Sequence, residues 1–578
     1  MSESQNAGND RYVGTLVGES TSQEFRLAVA AETIREQDII AVDAMVSEPG
    51  ATAKAVRVWA KVQRIERVNP LFPLEAGHEL AATHTDPFDT VLSLSHEMVT
   101  AVCQVLGAEQ ITDAKDGKLD HVRYPPQPAS SAYRPDSEDI ARIVVGTLNS
   151  KQARALDIAS LSNRPGVDVL VNGHAAVTRH LAILAMTGAG KSWTARRVIE
   201  ELAKKNFPIV IFDPHGDYTG LAEVKQLAAR TRRYFARFPV FEEDSETVAQ
   251  VVSNLGYKLQ PTMLTRFGDV FDAAKELSRE DASDHRSRLK FVREHVVTAG
   301  YFQDLLTPDM WLIARTAEIG ERIIRDEQQT QDPGRQLAAW GWPALPSYSK
   351  TDVRTLEAIK KRAFRAAKVL QSMEQTNRKV AGHAHPVPSD RKELVEYGRI
   401  SIISLSGYTS DFQATIFDLI AHDIFDLHVR EEVNLPVLLV LEEAHNFAPA
   451  RPFTEAEQRA VGTTRQIAQE GRKFGVGLVL ISQRPSRLDE TALSQCNSYV
   501  IMRMVNPADQ SFVRRVIESL GEDEAKMLPD LDVGEAILSG QFVNFPVLVK
   551  IKQPESKGAR EEEDIFEVLE KARMNENP

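Results

Sequence analysis

The sequence predicts an α/β fold with a mostly helical insertion, preceded by a small β-barrel. An apolar strand at 181–184 leads through a glycine-rich turn into a helix that ends near 204. Further apolar runs at 207–212 and 435–441 are typical of buried parallel strands. Before them lies a series of short β-like segments, and the 578 residues suffice for two to four domains.

Composition narrows the class of protein. A hydrophobic share of 42% with 26% charged residues indicates a globular protein with large cores. The net charge of −13 argues against a surface that is basic throughout, but a basic groove remains compatible with it. Cys103 and Cys496 match no metal-ligand spacing and indicate a reducing compartment. Without a signal-like or membrane-spanning apolar segment, we expect a cytoplasmic protein.

The N-terminal part of the chain predicts the barrel. Its β-like segments are separated by turn signals and fall at 12–17, 24–30, 38–46, 55–68, 98–106, 140–148 and 167–171. Short strands with frequent turns favour a small β-barrel. We place this module at 1–160, with a disordered tail at 1–11, and expect it to serve assembly or partner docking.

The turn after the first core strand predicts a phosphate-binding P-loop. Gly188 and Gly190 let successive backbone N–H groups face phosphate oxygens, and the following helix directs its positive end to the same anion. Lys191 would reach the β and γ phosphates of ATP, and the Ser192 hydroxyl would bind Mg²⁺. The predicted nucleotide-binding residues here are Thr187, Gly188, Ala189, Gly190, Lys191 and Ser192. Ala185 replaces the usual first glycine, which a regular backbone would tolerate.

The next core strand ends in Asp213 and His215. Ligands gather at the carboxyl ends of parallel strands, so both residues are candidates for a place near the nucleotide. A polar turn that only caps the strand explains them equally well. After this first part of the ATPase core, at 161–221, helical periodicity predicts an insertion at 222–390.

The core resumes at 391–553 with a strand that delivers two adjacent acids, Glu442 and Glu443. Because successive strand side chains point in opposite directions, one acid can face the metal and the other the attacking water. Glu442 would hold Mg²⁺ through its water shell, and Glu443 would orient and activate the water. The usual metal-side residue is aspartate, so Glu442 lengthens that arm by one methylene.

Two further residues complete the predicted catalytic set. Gln483 follows the next apolar strand, where it would sense the γ phosphate. Arg472 precedes that strand, near where a neighbouring subunit's site would lie, and such an arginine stabilises transition-state charge. The alternative is that Arg472 and Lys473 complement a helix dipole. The remaining 554–578 form a charged tail.

Taken in order, these motifs resemble the HerA family of hexameric DNA translocases, in the HerA/FtsK group of P-loop ATPases. The resemblance implies a RecA-like sheet, a ring of six subunits and double-stranded DNA in the pore. It also implies that Arg472 acts on the next subunit's nucleotide, that Arg179 meets a nucleotide, and that Ile551 and Lys552 are weaker nucleotide-binding candidates.

The resemblance further implies a partner protein. That partner is a NurA-type nuclease in DNA end processing, or a sirtuin-like or nuclease effector in anti-phage defence. The alternative function is an ATP-regulated ring scaffold that assembles and switches an effector without significant translocation. Arg451, Arg459 and Arg465 lie between two motifs, where a solvated surface is favoured over DNA contacts.

Overall fold

A computed structural model describes the chain at 11–30, 32–46, 54–69, 97–111, 117–146, 154–255, 257–278, 308–326, 352–382 and 384–558, with 566, 569–570 and 573. The predicted tail at 1–11, apart from its last residue, lies outside the described residues. So do two parts of the predicted insertion, at 279–307 and 327–351, and most of the charged tail.

A closed barrel begins the chain. Its strands run in the order β1-β2-β5-β4-β3-β6. They are β1 (Tyr12–Ser20), β2 (Glu24–Val29), β3 (Ile39–Val46), β4 (Lys54–Val68), β5 (Met98–Gln110) and β6 (Ser131–Tyr133). Side chains that alternate along these strands fill the interior, among them Leu16, Phe25, Leu27, Val42 and Val62.

The structure corrects the barrel's boundary. The predicted strand at 140–148 is a helix, α1 (Ser137–Val145), because Ile140, Ile143 and Val144 recur at helical spacing and pack inward. The last predicted strand, at 167–171, is also not a barrel strand. It corresponds to β8 (Asp168–Asn172), which pairs with β7 (Ala155–Leu161) in the large sheet.

The large sheet has the order β12-β11-β13-β10-β14-β15-β9-β16-β17-β18-β7-β8. Neighbours from β12 to β16 are parallel, and those from β16 to β8 are antiparallel. The additional strands are β9 (Leu181–Leu184), β10 (Ile209–Asp213), β11 (Thr231–Phe235), β12 (His385–Pro386), β13 (Ile400–Ser404), β14 (Val437–Leu441), β15 (Val476–Ser482), β16 (Ser498–Met502), β17 (Glu535–Gly540) and β18 (Val547–Ile551).

Helices cover both faces of this sheet, and two apolar clusters lie beneath them. They are α2 (Gly173–Thr178), α3 (Lys191–Lys204), α4 (Ser245–Asn254), α5 (Pro261–Ser278), α6 (Pro308–Asp326), α7 (Asp352–Ala381), α8 (Ser410–Val429), α9 (Glu455–Phe474), α10 (Glu490–Ser494), α11 (Pro507–Val516) and α12 (Glu522–Met527). The predicted insertion contributes α4–α7, but β11 and β12 within it belong to the sheet. No helix in the described ranges has the length and apolarity to span a bilayer.

The barrel is fixed to the α/β core by buried polar contacts. Lys61 on β4 pairs with Glu524 on α12, and both side chains are buried. Arg142 on α1 binds Glu109 on β5 at 2.7 Å, and Glu109 also accepts a hydrogen bond from the Trp59 indole at 3.0 Å. Since a buried charge that loses its partner is costly, these pairs hold the two modules in one relative position.

Candidate nucleotide-binding site

The strand that leads into the P-loop continues regularly through Ala185. Its amide donates to the carbonyl of Ser482 at 3.2 Å, in register with the β9–β15 pairing. Ala185 is fully buried and has no positive φ. The departure from glycine at this position therefore introduces no backbone strain.

The turn itself requires glycine at two positions. Gly188 has a φ of +80° and Gly190 a φ of +104°, in the left-handed region that side chains disfavour. The helix α3 begins at once, since the Thr194 amide donates to the Gly190 carbonyl at 2.9 Å. The loop before β17 lies behind the turn, where the Gly534 amide donates to the Ala189 carbonyl at 3.0 Å. This curled backbone at a helix N-terminus is suited to bind phosphate.

Lys191 lies between the two predicted catalytic acids. Its Nζ is 2.5 Å from Oε1 of Glu442 and 2.7 Å from Oε1 of Glu443, and all three side chains are buried. Burial lowers the pKa of Lys191, but the two carboxylates outweigh this and raise the pKa overall. The lysine is therefore a charged donor held at the carboxyl end of the sheet.

Glu442 is wholly enclosed. Its second oxygen, Oε2, accepts a hydrogen bond from the Tyr218 hydroxyl at 2.5 Å. Burial raises the pKa of Glu442 to about 7, against the opposing effect of Lys191. Because both carboxylate oxygens already have partners, Glu442 could contact a metal only indirectly, through a water molecule.

Glu443 has a different environment. Its backbone is left-handed, with φ +52° and ψ +51°, a strained conformation for a residue with a side chain. Gln483 donates its side-chain amide to Oε1. Oε2 is buried without a hydrogen-bond partner in the described residues and lies 3.4 Å from Nδ1 of His445. Burial lowers the pKa of His445, so an unsatisfied carboxylate oxygen faces a neutral ring and can accept a proton from water.

Gln483 connects Glu443 to the P-loop. It is the first residue after β15, and its Oε1 accepts a hydrogen bond from the Thr187 hydroxyl at 2.6 Å. The strand β15 lies between β9 and β14 in the sheet. This order places Thr187, Gln483 and Glu443 at the ends of three neighbouring strands.

Asp213 ends β10 and His215 lies in the turn that follows, and for both the sequence allowed either a place near the nucleotide or a role in capping the strand. Asp213 is buried and accepts four backbone amides of the turn, from His215, Gly216, Asp217 and Tyr218. His215 is exposed. Asp213 therefore caps the strand and holds the turn in place.

That turn carries two site residues that sequence reasoning missed. Asp217 accepts a hydrogen bond from the Ser192 hydroxyl at 3.1 Å, and Tyr218 binds Glu442. The sequence signal that could have identified them is an acid followed by an aromatic residue in the turn after a buried strand. Ser192 and Asp217 together offer two oxygen ligands beside the P-loop, the chemistry that Mg²⁺ prefers.

The sequence of the chain is similar to those of known helicases. The family model "Helicase HerA, central domain" matches residues 156–424. Over this range the chain is therefore similar to the HerA family. It is 29% identical to the probable DNA double-strand break repair helicase HerA of Methanocaldococcus jannaschii, over 82% of this chain and 90% of that protein. It is 25% identical to the DNA double-strand break repair helicase HerA of Pyrococcus furiosus, over 94% and 92% of the two chains.

The similarity to HerA helicases confirms the predicted fold class, a RecA-like P-loop ATPase core behind a small β-barrel, and with it an ATP hydrolase. Among solved structures, the chain is similar to VirB4 of Thermoanaerobacter pseudethanolicus. That match has 13% identity and a TM-score of 0.42, and covers 69% of this chain and 96% of the other.

Arg472 and Arg179, which the HerA resemblance links to nucleotide, lie far from their own P-loop. Arg472 is exposed near the end of α9, just before β15 begins. Arg179 lies two residues before β9, and its guanidinium pairs with Gln541. Both therefore lie at the amino ends of the parallel strands, whereas the P-loop follows the carboxyl end of β9.

The candidates Ile551 and Lys552 lie beside the P-loop of their own chain. The Ile551 amide donates to the Gly534 carbonyl at 2.9 Å. The Lys552 carbonyl accepts from the Trp193 indole at 3.1 Å. The Lys552 ammonium is held by Asp157 at 2.6 Å and by Asp168 at 2.7 Å. The segment thus supports the start of α3, and its charged group is already paired.

The three arginines between the motifs differ in their partners. Arg459 pairs with Glu243 and Asp418, each at 3.3 Å, and Arg465 pairs with Asp489 at 2.7 Å. Arg451 is exposed and forms no ion pair within the described part of the chain. Only Arg451 of the three therefore presents an uncompensated charge.

Proposed function

We propose that the protein is an ATP-driven translocase that moves along double-stranded DNA as a ring of six subunits. The observation that carries the proposal is the separation of its nucleotide residues between two edges of one sheet. Lys191, Glu443 and Gln483 lie at the carboxyl edge, and Arg472 lies at the amino edge. A complete site then forms where the amino edge of one copy meets the carboxyl edge of the next.

Each residue of the proposed site has a defined task. Residues 187–192 bind the phosphates. Ser192 and Asp217, with Glu442 acting through water, would hold Mg²⁺, which would supply positive charge to neutralise the phosphates. Glu443 takes the proton of the attacking water through its unsatisfied Oε2, and Gln483 holds Glu443 in position.

Lys191 links binding to activation. In the structure its ammonium neutralises Glu442 and Glu443. A bound triphosphate offers a stronger anion and draws the lysine away from the acids. Glu443 then loses its bound cation, so the carboxylate of the hydrolytic base is freed when the substrate arrives.

The proposal includes a partner and a place of action. The relatives are named for double-strand break repair, which favours a NurA-type nuclease in DNA end processing. A sirtuin-like or nuclease effector in anti-phage defence is the other partner class. A cytoplasmic location suits both.

The test is the steady-state ATPase rate with and without linear duplex DNA, on protein whose mass is determined by light scattering. The translocase proposal expects a hexamer whose turnover rises with DNA and falls steeply with salt, because phosphate contacts release counterions. A hexamer with slow turnover that ignores DNA would overturn it in favour of the ring scaffold.

A further inference from the structure

We infer that two adjacent loops at the carboxyl edge of the sheet form the surface that grips duplex DNA. The loops are 449–453, after the strand that carries Glu443, and 484–488, after the strand that carries Gln483. We call them the paired loops. The inference rests on the proposed function and names the contact surface that such a translocase needs.

Unpaired positive charge is the first observation. Arg451, Arg484 and Arg487 are exposed, and none has a salt-bridge partner in the ranges that the structure describes. The neighbouring Arg459 and Arg465 are both neutralised by carboxylates. In a chain with a net charge of −13, three uncompensated guanidinium groups on adjoining loops form a local basic surface.

An exposed aromatic ring is the second observation. Phe453 is 86% exposed, the highest value recorded for a large hydrophobic residue in the described chain. It is also held in place: its amide donates to Oε2 of Glu457 at 2.7 Å, within the capping box that starts α9 at Thr454. Pro452 restricts the backbone before it. An exposed apolar ring on a restrained backbone, beside unpaired arginines, fits a polyanion with apolar sugar edges.

Backbone contacts join the two loops to each other. Pro449 and Leu488 form a β-bridge. The Ala450 amide donates to the Arg487 carbonyl at 2.7 Å, and the Asp489 amide donates to the Ala448 carbonyl at 2.8 Å. The paired loops therefore move as one unit.

This unit is continuous with the hydrolytic residues. Glu443 lies six residues before loop 449–453, and Gln483 immediately precedes loop 484–488. The Gln483 side chain binds Glu443, so the two loops share a hydrogen bond at their base. A force applied to the loops by a bound duplex is thereby transmitted to the contact that positions Glu443, which explains how DNA would stimulate turnover.

The occupant is the phosphate backbone of duplex DNA, with Phe453 against the sugar edges of the minor groove. Arginine is the residue suited to phosphate contact, and three such contacts predict a strong salt dependence. A second copy of the chain would instead present the carboxylates that dominate this acidic protein. The test separates these occupants.

The experiment compares Arg451→Ala, Phe453→Ala and Arg487→Ala with two matched controls in the segment between β5 and β6. Arg123→Ala removes an exposed arginine, and Tyr124→Ala removes a 47% exposed aromatic ring. Each protein is measured for ATPase rate with and without a linear duplex, duplex affinity at several salt concentrations, and mass by light scattering.

We expect the three loop variants to keep the basal ATPase rate and the wild-type mass but to lose most DNA stimulation. Each arginine variant should lower the slope of log affinity against log salt by about one unit. Phe453→Ala should weaken affinity with little change in slope. The controls should match the wild type.

Three results would overturn the inference. Loop variants that bind and respond to duplex as the wild type does would place the contact elsewhere, while the proposed function would stand. Loop variants that form smaller oligomers than the wild type would assign the surface to a subunit contact. A wild-type protein that neither binds nor responds to duplex would reject the proposed function and the inference with it.

Discussion

The hydroxyl of Ser192 donates a hydrogen bond to Oδ2 of Asp217 at 3.1 Å, which joins the first turn of α3 to the turn after β10. Because Ser192 is the expected Mg²⁺ ligand, Asp217 is positioned to hold the same ion or its water. Asp217→Asn should raise the Mg²⁺ concentration for half-maximal ATPase about tenfold, as loss of a metal's supporting carboxylate typically does. ATP binding in EDTA should be unchanged.

The control for this prediction is Asp523→Asn, an exposed acid on α12. Magnesium titrations of both variants, with ATP binding measured separately, provide the comparison. An Asp217→Asn protein with the wild-type magnesium requirement would exclude the carboxylate from the metal site.

Lys191 should support stability as well as ATP binding. Lys191→Ala leaves Glu442 and Glu443 buried beside each other without their cation, and loss of one partner of a buried pair costs about 3–5 kcal/mol. We expect the variant to lose ATP binding and that amount of unfolding free energy. Lys204→Ala removes an ammonium that is 30% exposed and should cost less than about 1 kcal/mol. Equal denaturation curves for the two variants would contradict the structural role of Lys191.

The hydrogen bond from Tyr218 to Glu442 predicts a pH-dependent stability. The pKa of Glu442 is raised to about 7 by burial, so the acid is protonated at pH 5 and ionised at pH 8. Tyr218→Phe removes a donor to a carboxylate at pH 8, which costs about 1.5–3 kcal/mol, and a weaker contact at pH 5, which costs about 1 kcal/mol.

Tyr408→Phe is the matched control, because the buried Tyr408 donates to the neutral carbonyl of Ala236 at 3.1 Å. Its cost should be the same at both pH values. Denaturant unfolding of both variants at pH 5 and pH 8 measures this difference. A pH-independent cost for Tyr218→Phe would mean that Glu442 does not titrate in this range.

Arg472 should act on the nucleotide of a neighbouring copy. Arg472→Ala should lower turnover about 10³-fold or more, as removal of an arginine finger does. Mixed with Glu443→Ala subunits, it should recover part of the rate, because some interfaces then combine an intact arginine with an intact acid.

Lys473→Ala is the control for Arg472, since both residues are exposed in the last turn of α9. A helix-dipole role would make the two single variants equally mild. That result, or a mixture without activity at every ratio, would contradict action between subunits.

The elements predicted most accurately from the sequence are two short strands, β9 and β14. They precede residues 187–192 and Glu442 with Glu443, and their apolar runs indicate a strand without tertiary information. Contacts between distant parts of the chain could not be predicted. The bond between Tyr218 and Glu442 and the pairing of Lys552 with Asp157 depend on the order of the strands, which the sequence pattern does not contain.

Errors in the predicted elements have a local cause. The run at 140–148 is rich in β-branched residues, which favour strands, yet its apolar positions suit a helix packed on the core as α1. The strand β11 was missed because Arg232 and Arg233 interrupt its apolar positions next to the edge strand β12. In both cases tertiary packing outweighed local propensity.

The pairing of β18 with both β17 and β7 has a consequence for biosynthesis. The hairpin of β7 and β8 joins the sheet only through β18, which is synthesised after every other described strand. Until the ribosome has released that strand, one edge of β7 and one edge of β17 remain without partners. The nascent chain therefore carries the open edge of β7 until β18 is made, and a stop codon before Val547 would leave the edge of β17 open as well. Such a truncated chain should yield aggregates rather than a smaller ATPase.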